Sequence, residues 1–186
     1  MKRVIIILLC SLTLFAVSCQ NPQEDGLKAL FYTRCSAEAA FALAKANGLP
    51  TCEGLKCVCG KEKMEEFYAS VNEKKPASIL TAVYYDMPDD EGPDFFFFLI
   101  EYDGDKFSVT VRQSDSKELD TQGTYKYLKH YKGEAPAQAL MSEYEYYCLV
   151  NDEGVEWEDI ERGMVSSQTG AWVNHVTVFS DVTYKE

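Results

Sequence analysis

The feature that most constrains the fold is a run of six bulky apolar residues, Phe95-Phe96-Phe97-Phe98-Leu99-Ile100. A strand with one face in water alternates apolar and polar side chains, and this run does not alternate. The run therefore predicts a central strand that is covered on both faces. The acidic residues around it, such as Asp94 and Glu101, are typical of gatekeepers that protect an aggregation-prone segment.

Two helices are predicted before this strand. Residues 26–47 are rich in strong helix formers, and Asn47-Gly48 followed by Pro50 provides a stop. Residues 61–74 form the second helix, which ends before Pro76. Its apolar residues recur at helical spacing and form one stripe: Met64, Phe67, Tyr68 and Val71.

After the second helix the apolar pattern changes to a period of two. In the strand at 107–112, apolar residues alternate with Ser108, Thr110 and Arg112, which predicts that these three side chains face water. A short helix is predicted at 155–164. The other strands are predicted at 78–86, 95–100, 124–131, 143–150 and 171–184. This order predicts an α+β domain in which two N-terminal helices pack on an antiparallel sheet of five or six strands.

The N-terminal segment has the pattern of an export signal. Lys2 and Arg3 precede a 14-residue apolar run at positions 4–17, and Ser18-Cys19 follows it. A charged start, a short apolar run and small residues before a cleavage point are typical of a secretory signal. A retained membrane span is the alternative, although a span needs roughly 17–25 residues.

Cys19, directly after Ala16-Val17-Ser18, makes this segment resemble the lipobox signal of bacterial lipoproteins. The resemblance implies a signal peptide at residues 1–18, a lipidated cysteine with a tether at 19–25, and a single domain at 26–186. Cys19 would carry diacylglycerol on its sulfur and a further acyl chain on its amine, and two or more chains anchor stably. Gln20 after the cysteine implies the outer membrane, with the domain facing the periplasm or the cell surface. A plain secretory signal remains the alternative.

Charge and composition restrict the partners. Loss of residues 1–18 would leave 168 residues and lower the formal net charge from −12 to −14. Such a charge repels phosphate backbones, so nucleic-acid binding is not expected. An apolar share of 46% excludes general disorder, and no later segment is predicted to cross a membrane.

Five cysteines would remain in the mature chain, and an extracytoplasmic compartment permits disulfides. Four and then one residue separate Cys52, Cys57 and Cys59, unlike the spacing of paired zinc ligands, and no histidine lies nearby. We predict two disulfides among Cys35, Cys52, Cys57 and Cys59, with the connectivity open. Cys148 is predicted to be a small buried apolar residue. A metal site or free thiols are the alternatives.

Catalytic groups are sparse. The two histidines, His130 and His175, lie on predicted strands; His130 is interpreted as part of a solvated strand face and His175 as a core-edge residue. The sequence has no phosphate loop, nucleophile elbow or pair of metal-binding histidines. We therefore assign no catalytic residue, metal ligand or cofactor. A small extracytoplasmic hydrolase or thiol-dependent enzyme is kept as the alternative function.

An acidic loop offers a second possible ligand site. Asp89, Asp90, Glu91 and Asp94 carry enough carboxylates for calcium, but the ordered spacing of a dedicated calcium loop is missing. The loop is interpreted as a solvated turn.

Tyrosines are the most function-like feature. On ideal strands two groups of rings each share a face: Tyr125, Tyr127 and Tyr131 in one, Tyr144 and Tyr146 in the other. Rigid amphipathic rings make good contact surface for envelope proteins, glycans or apolar ligands. The alternative is a ring-rich sheet face that packs under helices. The sequence thus predicts a lipid-anchored, non-catalytic binding or interaction module.

Overall fold

The computed structural model describes residues 22–86, 92–166 and 172–185, and for 22–24 and 121–122 the backbone alone. Within these ranges the chain forms four helices and nine strands. The helices are α1 (Pro22–Tyr32), α2 (Ala37–Ala46), α3 (Lys61–Asn72) and α4 (Trp157–Val165). The strands are β1 (Thr51–Glu53), β2 (Lys56–Cys59), β3 (Ala77–Tyr85), β4 (Asp94–Tyr102), β5 (Phe107–Gln113), β6 (Asp120–Tyr125), β7 (Tyr127–Glu134), β8 (Met141–Val150) and β9 (His175–Tyr184).

The strands form two sheets. The larger sheet has the order β2-β1-β3-β4-β5-β6 and is mixed, because β1 runs parallel to β3 while the other pairs are antiparallel. The smaller sheet is antiparallel, with the order β7-β8-β9. Only Lys126 separates β6 from β7, and its N–H donates to the Val150 carbonyl at 3.2 Å. The chain therefore passes from one sheet to the other at this residue.

The helices and sheets enclose three apolar clusters. The central cluster lies between the sheets, where Ile100 and Val109 of the larger sheet join Leu149 of the smaller one, and α3 adds Met64 and Phe67. A second cluster packs α1 and α2 on the opposite face of the larger sheet. A third packs α4 on the opposite face of the smaller sheet.

The prediction for residues 95–100 is confirmed. They lie in β4, which is hydrogen-bonded to β3 on one side and β5 on the other. Phe95 and Phe97 are buried in the cluster with α1 and α2, while Phe96 and Phe98 are half-buried against the central cluster. Both faces of this strand are therefore covered.

The α+β class is confirmed, and the finer prediction needs correction. The helix predicted at 26–47 is two helices, because Ser36 accepts a hydrogen bond from the Ala39 N–H (3.4 Å) and begins a new one. A single antiparallel sheet of five or six strands was predicted, but the chain forms a mixed six-stranded sheet and an antiparallel three-stranded sheet. The strand predicted at 124–131 is split between these two sheets at Lys126. The hairpin of β1 and β2 was not predicted. The helix predicted at 155–164 is present as α4, so the helices are not confined to the N-terminal part.

Arg112 was predicted to face water, and this is wrong. Its side chain lies on the face of β5 that α1 covers, and only 2% of the residue is exposed. The guanidinium donates to five backbone carbonyls: those of Phe31, Thr33, Gln113, Ser114 and Ser116. Arg112 thereby closes the C-terminal end of α1 onto the segment that follows β5.

No helix among the described residues is long and apolar enough to cross a bilayer.

Candidate functional site

A cluster of charged side chains lies between α3 and the inner face of the smaller sheet. At its centre is Glu145 on β8, which is 5% exposed. Its carboxylate accepts hydrogen bonds from Lys61 Nζ (2.9 Å), His130 Nε2 (2.9 Å) and Lys132 Nζ (3.2 Å). Lys61 also donates to Asp181 at 2.7 Å. Because Lys132, Glu145 and Asp181 are register partners across β7, β8 and β9, the sheet itself brings them together.

The position of Lys61 depends on the residue before it. Gly60 has φ +75°, and a Cβ there would lie 2.4 Å from the carbonyl carbon of Leu49. Glycine is the residue that adopts this left-handed conformation without such a contact. Gly60 therefore lets α3 begin directly after the β1–β2 hairpin, with Lys61 as its first residue over the smaller sheet.

Aromatic rings pack beside the charges. His130 stacks on Tyr147 with centroids 4.3 Å apart and an interplanar angle of 8°. Tyr68 on α3 meets both rings edge-on. His130 is thus a packed and hydrogen-bonded residue, and its interpretation as part of a solvated strand face is wrong. The sequence pattern of β7 correctly predicted that His130 lies on a strand. The packing of α3 over His130 could not be predicted from the local sequence.

The electrostatics of the cluster favour charge pairing. Burial raises the pKa of Glu145, but the hydrogen bonds from Lys61, Lys132 and His130 outweigh it and lower this pKa to about 2. Burial lowers the pKa of Lys61, but its hydrogen bonds to Asp181 and Glu145 reverse the direction and raise it. Since an ionised carboxylate only accepts, His130 Nε2 carries the hydrogen that it shares with Glu145.

The charge cluster around Glu145 links α3 to the smaller sheet. A carboxylate has about four acceptor positions, and Glu145 already faces three charged or ring donors and the Tyr147 hydroxyl at 3.5 Å. Two cavities of the described residues, a groove beside α3 and a cleft beside α4, are lined by other residues and not by Glu145, Lys61 or His130. The cluster therefore ties the start of α3 to the smaller sheet and leaves Glu145 little capacity to act on a substrate.

A half-open groove with a volume of about 800 Å³ lies at one end of the larger sheet. One wall is the face of α3 that carries Lys63, Glu66, Phe67 and Ser70. The other wall is the beginning of β3 with the turn between β4 and β5. Lys63 Nζ donates to the Asn47 carbonyl at 2.9 Å and so joins α3 to the end of α2 beside the groove.

Two rows of residues paired across neighbouring strands supply polar and aromatic side chains to the lining of the groove. The first is polar, because Ser78 pairs with Glu101, Glu101 with Ser108, and Ser108 with Thr124 across β3 to β6. All four of these residues line the groove. The neighbouring row contributes the rings of Tyr102 and Phe107, which stack with centroids 4.5 Å apart. Because neighbouring rows project from opposite faces of a sheet, the groove passes over the sheet end, with hydroxyl and carboxylate groups on the α1 face and apolar rings on the α3 face. Sequence reasoning missed this combination because the rows exist only once the strands pair.

All five cysteines of the described residues are free thiols. Cys52 and Cys57 are register partners in the β1–β2 hairpin and contact the same central cluster. Cys59 lies opposite Thr51, and Cys35 donates its N–H to Ser114 after β5. The disulfides stay a prediction. Cys148 is fully buried under α4, as predicted.

Burial governs the reactivity of three of these thiols. Desolvation raises the pKa of Cys57 to about 12 and that of Cys148 to about 12, and it also raises the pKa of Cys52. A thiol is a nucleophile only as its thiolate. At neutral pH these three side chains are therefore protonated and poorly suited to nucleophilic catalysis.

The predicted aromatic surface is largely covered. Tyr131 and Tyr146 are 7% and 5% exposed and pack against Trp157 of α4. Tyr144 is half-buried and stacks on the same indole, with centroids 5.3 Å apart. The rings are split further, since Tyr125 is buried in the central cluster and Tyr127 is half-buried on the α4 side. The described structure thus packs most of these rings internally, which is the alternative that the sequence left open.

Three sequence features remain: the lipobox-like segment, the acidic loop and His175. Cys19 and the lipobox-like segment, and residues 89–91 of the acidic loop, lie outside the described residues. Asp94 accepts a hydrogen bond from Gln113 at 2.7 Å. His175 is half-buried at the start of β9 and contacts the Val173 carbonyl at 2.9 Å through Nδ1, consistent with a core-edge residue.

No protein family model, curated protein sequence or solved structure matches this chain.

Proposed function

We propose that this chain is a lipid-anchored cell-envelope lipoprotein whose domain is a non-catalytic binding module. The lipobox-like sequence that ends at Cys19 supports the anchor and the envelope location. The groove beside α3 supports binding and is the single observation that carries this part of the proposal. Its volume of about 800 Å³ falls within the range of small-molecule sites, which is roughly 300–1,000 Å³.

The lining of the groove suggests the chemistry of the ligand. Phe67, Tyr102 and Phe107 line its α3 side, where their rings would contact an apolar part of the ligand. The row that includes Ser78 and Ser108 projects from the other face of the sheet and would hydrogen-bond to a polar part that extends over the sheet end. An extended ligand with an apolar part and a part that carries hydroxyl or amide groups fits this lining, such as an apolar ligand with a polar end, a glycan or a peptide segment of an envelope protein.

The alternative, a small extracytoplasmic hydrolase or thiol-dependent enzyme, has less support. The thiols of Cys57 and Cys148 have raised pKa values and lie on different apolar clusters. His130, the histidine nearest to a carboxylate, shares its Nε2 hydrogen with a buried Glu145 that has several other donors. None of these groups lines the groove.

Filling the groove is expected to remove its ligand. Ser70 is a half-buried groove residue of α3, so Ser70→Trp places an indole where the ligand would lie. Ala69→Trp is the matched control, because Ala69 is the exposed neighbour on the same helix and does not line the groove. Native mass spectrometry of protein extracted from membranes should show a bound mass in the parent and in Ala69→Trp. In Ser70→Trp that species should fall about tenfold, the equivalent of a 1.4 kcal/mol loss.

Equal occupancy of the groove-filled variant and the control would contradict a binding role for the groove. A bare protein mass in the parent would do the same.

A further inference from the structure

The β1–β2 hairpin places two cysteines opposite each other. Cys52 on β1 is the register partner of Cys57 on β2, one pair away from the two-residue turn at Gly54-Leu55. Both side chains contact the cluster between the sheets, so they project from the same face of the hairpin. Cys52 is fully buried, whereas Cys57 is partly exposed.

The hydrogen bonds of the larger sheet show whether Cys52 and Cys57 form a hydrogen-bonded or a non-hydrogen-bonded pair. Ala82 donates to the Pro50 carbonyl at 2.9 Å and Gly54 donates to the Tyr84 carbonyl at 2.8 Å. In a parallel ladder with this register, the N–H and C=O of Cys52 point toward β3. They therefore point away from β2, and Cys52–Cys57 is a non-hydrogen-bonded pair of the antiparallel hairpin.

The spacing of such a pair suits a disulfide. Directly opposed residues at a non-hydrogen-bonded position have Cα atoms about 4.5 Å apart. Disulfides bridge Cα separations of about 4.4–6.8 Å. The thiols presently donate elsewhere, Cys52 to the Ser180 carbonyl and Cys57 to the Cys59 carbonyl. A rotation about the side-chain bonds, without movement of the strands, brings the two sulfurs together.

The other cysteines lack this geometry. Cys35 is bonded to Ser114, which is itself bonded to Phe95 at the beginning of β4. In the strand order β2-β1-β3-β4, three strand spacings separate that position from Cys59, or about 14 Å. Cys148 lies on the far face of the smaller sheet, under α4.

We propose that Cys52 and Cys57 form a cross-strand disulfide and that it is the single bridge of the domain, with Cys35, Cys59 and Cys148 as thiols. This differs from the two bridges predicted from cysteine clustering. Formation of the bridge in cells rests on the proposed envelope location, since that compartment supplies an oxidant. The pairing itself depends only on the fold.

The chemistry is thiol–disulfide exchange with a disulfide of a partner protein or small molecule. The more accessible Cys57 loses its proton and reacts through the small fraction present as thiolate at neutral pH. It forms a mixed disulfide and releases one thiolate of the oxidant. Cys52 then loses its proton and attacks the Cys57 sulfur, which forms the Cys52–Cys57 bond and releases the second thiolate. Two cysteine thiols are oxidised and one external disulfide is reduced to two thiols.

The bridge would fix the hairpin where the two sheets meet. Cys52 lies against Ser180 of β9, and Lys61 follows the hairpin through Gly60. A short cross-link mainly restricts the unfolded chain, so its effect on stability is moderate. Reduction of the oxidised protein is expected to lower Tm by about 4–8 °C.

Trypsin makes the pairing directly readable, because Lys56 separates the two residues. Cells are treated with iodoacetamide to block thiols, and the protein is digested without reduction. We expect residues 46–56 linked to residues 57–61, with Cys59 alkylated. In parallel, the reduced purified protein is oxidised with oxidised glutathione, mapped in the same way and melted with and without dithiothreitol.

Two serine variants sharpen the result. Cys57→Ser should lose both the linked peptide and the effect of dithiothreitol on Tm. Cys59→Ser, two residues further along the same strand, should keep both. A bridge through Cys59 or Cys35, or no bridge after oxidation with glutathione, would overturn the proposal. A bridge that forms with glutathione but is absent in cells would support the pairing and contradict the oxidising envelope location, so the two failures are distinguishable.

Discussion

Replacement of Arg112 by alanine is expected to lower the free energy of unfolding by about 3–5 kcal/mol, since it leaves several buried carbonyls without a donor and opens a cavity in the core. The guanidinium is buried and donates to five backbone carbonyls, two of them near the end of α1. The truncation leaves these acceptors without their donor and opens a cavity between the rings of Phe31 and Phe97, which lie 5.7 and 5.4 Å from the guanidinium carbon.

Urea unfolding of Arg112→Ala at pH 7 measures this loss. Arg34→Ala is the matched control, because Arg34 also donates to a backbone carbonyl, that of Asp115, but is exposed. We expect the control to lose about 1 kcal/mol or less. Equal losses in the two variants would contradict the role assigned to the burial of Arg112.

Acid is expected to destabilise the domain through Glu145. Its pKa in the folded protein is about 2, well below the ordinary value of 4.5 for a glutamate side chain. A carboxyl with a depressed pKa stabilises the fold fully above its unfolded pKa, and this contribution is lost as the pH falls through the folded value. The loss between about pH 5 and pH 2 should reach about 3 kcal/mol, of which about 2 kcal/mol appears by pH 3.

Unfolding free energies at pH 7 and pH 3 test this expectation. Glu145→Gln should be less stable than the parent at pH 7, because Lys61 and Lys132 lose a charged acceptor, and it should lose about 2 kcal/mol less than the parent on acidification. Glu143→Gln, an exposed residue two positions earlier on β8, should follow the parent. An identical acid response of Glu145→Gln and the parent would show that the charge cluster does not contribute as described.

Strong local patterns predicted much of the fold. The apolar run at 95–100 predicted a central strand, and the stripe of Met64 and Phe67 predicted α3 and its buried face. These succeeded because periodicity and long apolar runs reflect burial directly. The break between α1 and α2 was missed because Ser36 caps a helix within a stretch that otherwise favours one long helix.

Features that depend on distant contacts were not predictable in the same way. Arg112 alternates with apolar residues, a pattern that predicts a solvent-facing side chain, but α1, about eighty residues earlier in the chain, covers it. His130 gains its environment from Tyr68 and Lys61 of α3 through the sheet that both contact. The groove likewise exists only where α3, β3 and the β4–β5 turn meet. Local sequence contains no signal for any of these juxtapositions.

The function proposed for the domain depends on its anchor. The proposed lipid would hold the groove near the envelope ligands that it would bind, and the same compartment would supply the oxidant for the hairpin cysteines. The proposal of a lipid-anchored lipoprotein therefore depends on Cys19.

The direct measurement is acyl labelling of the full chain in a bacterial host with an alkyne analogue of palmitate, followed by membrane fractionation. Cys19→Ala is expected to abolish the label and to leave the protein soluble or unprocessed, because no other cysteine follows a lipobox-like sequence. Cys10→Ala is the matched control: Cys10 lies within the segment expected to be removed, so this variant should be labelled and sediment with membranes like the parent. Normal labelling and membrane association of Cys19→Ala would contradict the lipoprotein assignment.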